Sequence, residues 1–310
     1  MKEFKAPDSS VILGIDHGFG NIKTVNTVFS NSVTEKKEEP MMSSDYLFYD
    51  RKYYVLNESH KLYNPDKLKD NDFYILTIAA IAKELRKRGM NKARVNLAVG
   101  LPMKWLGNQK DKFREYLTKN KNIVFSYKGQ NYFVEITGCV VMPQCYAAVA
   151  ENLRDYKGLN LVVDIGNGTM NIMYLMDGKT KEGQYFTEVM GVHQCAVKIH
   201  NAILDKFELE LPESLLNSYL MKGTADVAEE YLNEMKKCSK EYVKEIFDKL
   251  NDIGYNEKLM KLYFMGGGAK IIENFGDYNP ERVFFNHDIH ANAKGFEYYA
   301  YMALCREYKK

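Results

Sequence analysis

One short pattern occurs twice in this chain, and the repetition limits what the whole can fold into. Val11 to Lys23 reads VILGIDHGFGNIK, and Leu161 to Met173 reads LVVDIGNGTMNIM. In each copy an apolar run ends in an aspartate, with glycines two and four positions beyond it: Asp16, Gly18 and Gly20, then Asp164, Gly166 and Gly168. An apolar run resumes at once. Strand, glycine turn and returning strand make a β-hairpin, and glycine is expected there for its access to positive φ and for close backbone approach. Two such hairpins, each with a carboxylate at its tip, can face each other across a cleft.

A turn of this kind points backbone N–H groups into a small concavity, which suits an anion, and a carboxylate beside it can hold Mg2+ through water. A phosphate with its metal fits between two of them. One copy alone reads more simply as an ordinary turn, since Asp and Gly are common turn residues. The second copy and a glycine run at Gly266, Gly267 and Gly268 favour the anion site.

Between the copies, residues 30–69 are the least periodic, with a charged run from Glu35 to Glu39. YLFYDRKYYVL, from Tyr46, predicts two short strands joined at Asp50 and Arg51. Aromatics alternating with charges in Tyr46 to Tyr63 suit either a half-exposed sheet or a contact surface. Phe73 to Arg88 carries Ile75, Ile78, Ala79, Ala82 and Leu85 at helical spacing and stops at Gly89, so it predicts a helix covering a sheet. A strand from Arg94 to Val99 follows, then a short helix near Asn108 to Lys119. A hairpin of Ile123 to Tyr127 and Tyr132 to Thr137 turns at Lys128 and Gly129. Pro143 is then expected to open a helix with Gln144 in its first turn. The unpaired N–H groups and dipole of a helix N-terminus would put Gln144 beside an anion, where its amide can orient a water but cannot remove a proton. A plain surface glutamine is the alternative.

In the second half, Asp177 and Gly178 turn the chain into a strand from Gln184 to Val189. Helices follow from Gly191 to about Phe207, from about Pro212, and from Ala225 to Leu250. The strand Leu262 to Met265 runs into the three glycines and a helix from Ala269 to Asn274. Bare backbone there lets a planar ligand approach, or makes only a tight strand-to-helix turn. A short strand at Val283 to Phe285 and a closing helix from Ala291 to Tyr308, long enough to cross back to the first half, complete the chain.

The 43 basic and 41 acidic residues leave a formal charge of +2 with no concentrated basic face, so direct nucleic-acid binding is not expected. The start MKEFKAPDSS lacks the apolar core of a signal peptide, and no apolar run approaches the roughly 18 to 20 residues of a membrane span. A cytoplasmic protein without membrane contact is expected. The five cysteines include no CxxC pair and read as reduced thiols, and the six scattered histidines argue against structural zinc.

Taken in order, GIDHGFGNIK, MPQ at residues 142–144, DIGNGTMNI and FMGGGAKII resemble the phosphate-1, connecting, phosphate-2 and adenosine motifs of the actin-like ATPase superfamily, over almost the whole chain. The first and last look most like bacterial plasmid-segregation actins of the ParM/StbA type. The resemblance implies an α/β, actin-like (ribonuclease H-like duplicated) fold with two domains around a nucleotide cleft. Domain I would span 1–157 with a small subdomain at about 30–70, domain II 158–290, and residues 291–310 would return to domain I. Asp16 and Asp164 would be catalytic carboxylates holding Mg2+ and its waters. Gly18, Phe19, Gly20 and Asn21, with Gly166, Asn167, Gly168 and Thr169, would wrap the phosphates. Lys23 would reach the β- and γ-phosphates, Gln144 would position the hydrolytic water, and Gly266, Gly267 and Gly268 would meet the adenosine side. Asn171 departs from the pattern, since many relatives carry an acidic residue there.

The activity implied is ATP- or GTP-dependent polymerisation with hydrolysis, used to move plasmid DNA through a DNA-binding adaptor protein, so the partners would be the chain itself and that adaptor. Two rivals share the fold: a small-molecule kinase, for which no second-substrate motif is visible, and a nucleotide-binding scaffold without turnover, which Asn171 favours.

Overall fold

A computed structural model describes residues 4–41, 45–57 and 72–309 of the chain. The part of the Tyr46 to Tyr63 segment beyond residue 57 lies outside them. The chain divides into two compact units, Met1–Glu151 with His290–Lys310, and Asn152–Ile289.

In the first unit β1 (Val11–His17), β2 (Asn21–Lys23) and β3 (Val28–Ser30) form an antiparallel meander. β4 (Val33–Lys36), β5 (Tyr46–Tyr49), β6 (Lys52–Leu56), α1 (Asp72–Lys87), β7 (Lys92–Leu101), α2 (Met103–Leu117), β8 (Asn122–Tyr127), β9 (Gln130–Pro143) and the one-turn α3 (Tyr146–Val149) follow. Among the described residues the strands make one sheet in the order β3-β2-β1-β7-β9-β8-β5-β6-β4, with β7 parallel to both β1 and β9.

The second unit runs β10 (Leu159–Ile165), β11 (Met170–Met176), β12 (Lys179–Glu188), α4 (Val192–Phe207), α5 (Glu213–Lys222), α6 (Glu229–Asp252), β13 (Lys261–Met265), α7 (Ala269–Phe275) and β14 (Val283–Asn286). Its sheet order is β12-β11-β10-β13-β14, with β13 parallel to β10 and β14. This matches β3-β2-β1-β7-β9 strand for strand and in sense. The repeat in the sequence is therefore a repeated five-strand sheet, and the first unit adds β8, β5, β6 and β4 along its far edge. The closing helix α8 (Ala291–Tyr308) packs in the first unit.

Helices on both faces explain why β1 is buried at every residue and reads as an almost unbroken apolar run. Leu13 and Ile15 point with Leu97 and Val99 toward Ile75, Ile78, Ala82 and Leu85 of α1. Ile12, one residue out of phase, joins Ala98 and Met142 against Phe296 and Ala300 of α8. Asp50 and Arg51, Lys128 and Gly129, and Asp177 and Gly178 all hold positive φ at both central positions, as two-residue hairpin turns require.

The helix expected to open at Pro143 begins only at Tyr146, so Gln144 is not in its first turn. Pro143 instead ends β9, paired with Leu101, and the Gln144 N–H donates to the Leu101 carbonyl at 2.9 Å. A fixed φ without an N–H suits the last residue of a strand as well as the first of a helix, so the residue alone does not distinguish them. No helix among the described residues is long and apolar enough to cross a membrane. All five cysteines are free thiols, and burial pushes Cys139 and Cys195 up to about 12.

Candidate functional site

In the first unit Asp16 pairs across the ladder with Lys23 and His17 with Ile22, so Gly18, Phe19 and Gly20 form the hairpin loop. None of the four motif glycines has positive φ. The expectation that these turns need left-handed backbone is thus corrected: at Gly18 the requirement is close approach, because a Cβ there would stand 2.6 Å from the Asn21 carbonyl oxygen. The loop carbonyls turn toward Asn31, whose N–H donates to Gly20 at 3.1 Å and whose Nδ2 donates to Gly18 at 2.9 Å and Phe19 at 3.2 Å. Carbonyls bound on one side suit a loop that offers N–H groups to an anion on the other. Phe19 meets the chain's single tryptophan, Trp105, edge to face at 6.0 Å.

Asp16 is buried, with Oδ1 accepting from Gln144 Nε2 at 2.9 Å and Oδ2 lying 3.7 Å from Lys23 Nζ. A carboxylate only accepts, so the Gln144 amide must present its NH2 to Asp16, which leaves Oε1 as an acceptor. Gln144 reaches this place without a helix dipole. It stands between the end of the β9 ladder and a γ-turn at Cys145 (φ 67, ψ −56), closed by the Tyr146 N–H on the Gln144 carbonyl at 2.8 Å.

In the second unit Asp164 pairs with Asn171, and Gly166, Asn167, Gly168 and Thr169 form a loop closed by the Gly166 N–H on the Thr169 carbonyl at 2.8 Å. Here the brace is a helix end. Val192 N–H of α4 donates to Gly166 at 3.1 Å and His193 N–H to Asn167 at 2.9 Å. Asn171 accepts from the Thr187 hydroxyl at 3.0 Å, so its neutral side chain faces Asp164 in a fixed orientation.

The glycine run packs on the end of β10. A Cβ at Gly266 (φ 80) would come within 2.5 Å of Asp164 Oδ1, and one at Gly268 within 2.2 Å of Ile165 Cγ2. Only at Gly267 would a Cβ meet nothing within 4 Å, so of the three only Gly267 leaves room for a flat ligand. The structure thus gathers Asp16, Lys23, Gln144 and the first loop in one unit, and Asp164, the second loop and the glycines in the other. No group of three or more His, Cys, Asp or Glu able to hold a metal occurs among the described residues. The carboxylate beside each loop, Asp16 in one unit and Asp164 in the other, is a donor of the kind that holds Mg2+ through water. Sequence reasoning missed Asn31 and Thr187, and no local pattern in the sequence marks either of them.

Residues 14–146 match the N-terminal domain family of actin-like proteins, and residues 162–275 match the C-terminal domain of archaeal MreB-like actin homologues. The chain belongs to the actin-like superfamily. Both aspartates, Gln144 and the glycine run lie inside the matched segments of this actin-like chain. A 15-stranded ParM filament from Clostridium botulinum superposes with a TM-score of 0.77 at 15% identity, over 97% of this chain and 100% of that one. The archaeal actin homologue Ta0583 in complex with ADP gives 0.73 at 18% identity, over 93% and 98%. Bacillus thuringiensis ParM with AMPPNP gives 0.66 at 14% identity, over 96% and 98%. At these identities the likeness is one of fold. No curated protein matches the chain in sequence.

Proposed function

We propose that this actin-like chain is a nucleotide-gated filament subunit. It binds ATP with Mg2+ at its two hairpin loops, polymerises, hydrolyses the nucleotide and dissociates in the diphosphate form. The filament moves plasmid DNA in the cytoplasm through a DNA-binding adaptor and touches neither DNA nor membrane itself. Similarity to a ParM filament supports the assembly, and the ADP and AMPPNP complexes of similar proteins favour adenine over guanine.

The observation that carries the reading is the 2.9 Å bond from Gln144 Nε2 to Asp16 Oδ1. It fixes an amide with its Oε1 ready to accept from a water, which is what in-line attack on a γ-phosphoryl group requires of a residue that is not a base. Lys23 and the loop N–H groups would bind phosphate oxygens, and Asp16 and Asp164 would hold the metal's waters. Mg2+ would supply neutralisation of the charge on the phosphoryl oxygens. The γ-phosphoryl passes to water, giving the diphosphate and inorganic phosphate.

The test is ninety-degree light scattering on adding ATP and Mg2+, with phosphate release followed in the same cuvette. Scattering that rises and then decays as phosphate accumulates is the expected result. Phosphate release without scattering at concentrations well above micromolar would replace the filament with a monomeric ATPase or a kinase awaiting its second substrate.

A further inference from the structure

Asp16 stands on β1 and Gln144 directly before the γ-turn into α3, and β1 and α3 both rest on the N-terminal part of α8. Gly14 of β1 approaches it so closely that a Cβ would stand 2.0 Å from the Ala293 carbonyl oxygen. Gly295 of α8 approaches α3 in the same way, with a Cβ there only 1.8 Å from the Ala147 carbonyl oxygen. Between these contacts Asn292 Oδ1 accepts the Cys145 N–H at 3.1 Å. Cys145 is buried, so its N–H needs a protein partner, and Asn292 is that partner.

The bond matters because of where Cys145 stands. Its φ of 67 and ψ of −56 form the γ-turn directly after Gln144. A residue with a Cβ held in such a region is strained and persists only where its surroundings enforce it. We propose that Asn292 is a positioning residue for nucleotide hydrolysis: by accepting the Cys145 N–H it holds the γ-turn that keeps Gln144 on Asp16. This rests on the role given to Gln144 above. Without that acceptor the turn relaxes toward negative φ and carries the Gln144 side chain off the carboxylate. The loops that bind phosphate are untouched, so turnover falls and nucleotide affinity does not.

The test compares full-length wild type with Asn292→Ala, Asn292→Asp and Asn292→Ser. ATP affinity is read from Trp105 emission, since the one tryptophan lies against Phe19 of the first loop. Turnover is read as phosphate release at saturating ATP, and folding as the melting temperature. Asn292→Ala is expected to lose about tenfold in turnover with Kd within about twofold. Asn292→Asp keeps an acceptor oxygen and adds a charge that suits a helix N-terminus, so it is expected to restore turnover to within about threefold. Asn292→Ser, with a shorter reach, falls between and serves if the alanine variant does not fold.

Unchanged turnover in Asn292→Ala overturns the proposal. So does an equal loss of affinity and turnover, or failure of Asn292→Asp to recover, since each marks a merely structural residue. Wild type that releases no phosphate sinks the hydrolytic reading of the site, and this proposal with it. An active wild type beside an indifferent Asn292→Ala sinks this proposal alone.

Discussion

The loop after Asp16 is braced by a side chain, Asn31, while the loop after Asp164 is braced by backbone at the start of α4. The ladders differ in the same direction. β2 pairs with β1 only at Asp16 and His17, whereas β11 pairs with β10 along all of Leu159 to Ile165. The short ladder stops before Gly14, and the Gly14 N–H goes instead to Glu297 Oε1 at 3.1 Å. Asp16 is contacted by Gln144 and Lys23, while Asp164 lies against Gly266 and opposite neutral Asn171. One motif is thus built in two ways. The second hairpin is held by its own backbone, and the first by side chains gathered from distant parts of the chain.

The largest expected effect tests what the hairpins share. Asp164→Ala should lower phosphate release by at least about 100-fold, as loss of a charge-stabilising group does, while the chain still folds, as a cooperative melt would show. Full activity in that variant would remove Asp164 from the metal site. Next comes the residue that only the first hairpin has. Gln144→Ala should slow turnover about 10- to 100-fold while ATP affinity stays within about threefold. Thr187→Val, which unties Asn171 on the other side of the comparison, should leave turnover within about twofold. Equal losses of binding and turnover in Gln144→Ala would make Gln144 structural and erase the contrast.

The contrast also explains what was legible in the sequence. The second hairpin is a local object, so DIGNGTMNIM shows its loop and its long strands directly. The three two-residue turns were equally readable, because Asp50, Gly129 and the Asp177–Gly178 pair meet a backbone requirement that neighbours do not alter. α8 could be read because Ala293, Phe296 and Ala300 recur at helical spacing and are its buried apolar residues. What escaped was the bracing of the first hairpin. Asn31, Asn292 and Glu297 act across gaps in sequence that only the fold closes, and nothing in their local pattern marks them. Pro143 misled for a related reason: the strand runs on up to it because Leu101 lies alongside. The glycines at 14 and 295 are needed for helix approach, a demand that belongs to the partner surface.

A smaller effect is expected where side-chain bracing can be removed singly. Asn31→Ala deletes two bonds to loop carbonyls and should cost about 1–2 kcal/mol of stability and weaken ATP binding about fivefold, read by thermal melting and Trp105 emission. No single side chain of the second loop's brace offers a matching target, since its donors are the backbone N–H groups of Val192 and His193. An Asn31→Ala variant that binds ATP like wild type would mean that the first loop holds its shape unaided, as the second does.

The last effect is on stability and its pH dependence rather than on turnover, and it concerns the Gly14 N–H that β2 leaves unpaired. Glu297 takes it while buried beside Arg88, whose Nη2 lies 3.0 Å from the same oxygen and also 3.0 Å from Glu84 Oε1. Burial, with some repulsion from Glu84, outweighs the pull of Arg88 and Gly14 and pushes the Glu297 carboxyl up to about 7 from an ordinary 4.5. The folded chain then keeps a proton that the unfolded chain has lost, so stability falls as pH rises through this window, by at most about 3 kcal/mol. Glu297→Gln still offers an oxygen to Gly14 but does not titrate, so its melting temperature should vary less between pH 4.5 and 7 than that of wild type. Loss of that slope would mean that the short hairpin has completed its ladder with a titrating side chain. An unchanged slope would mean that Arg88 keeps Glu297 ionised throughout, in which case the two hairpins differ in the geometry of their bracing and not in its charge.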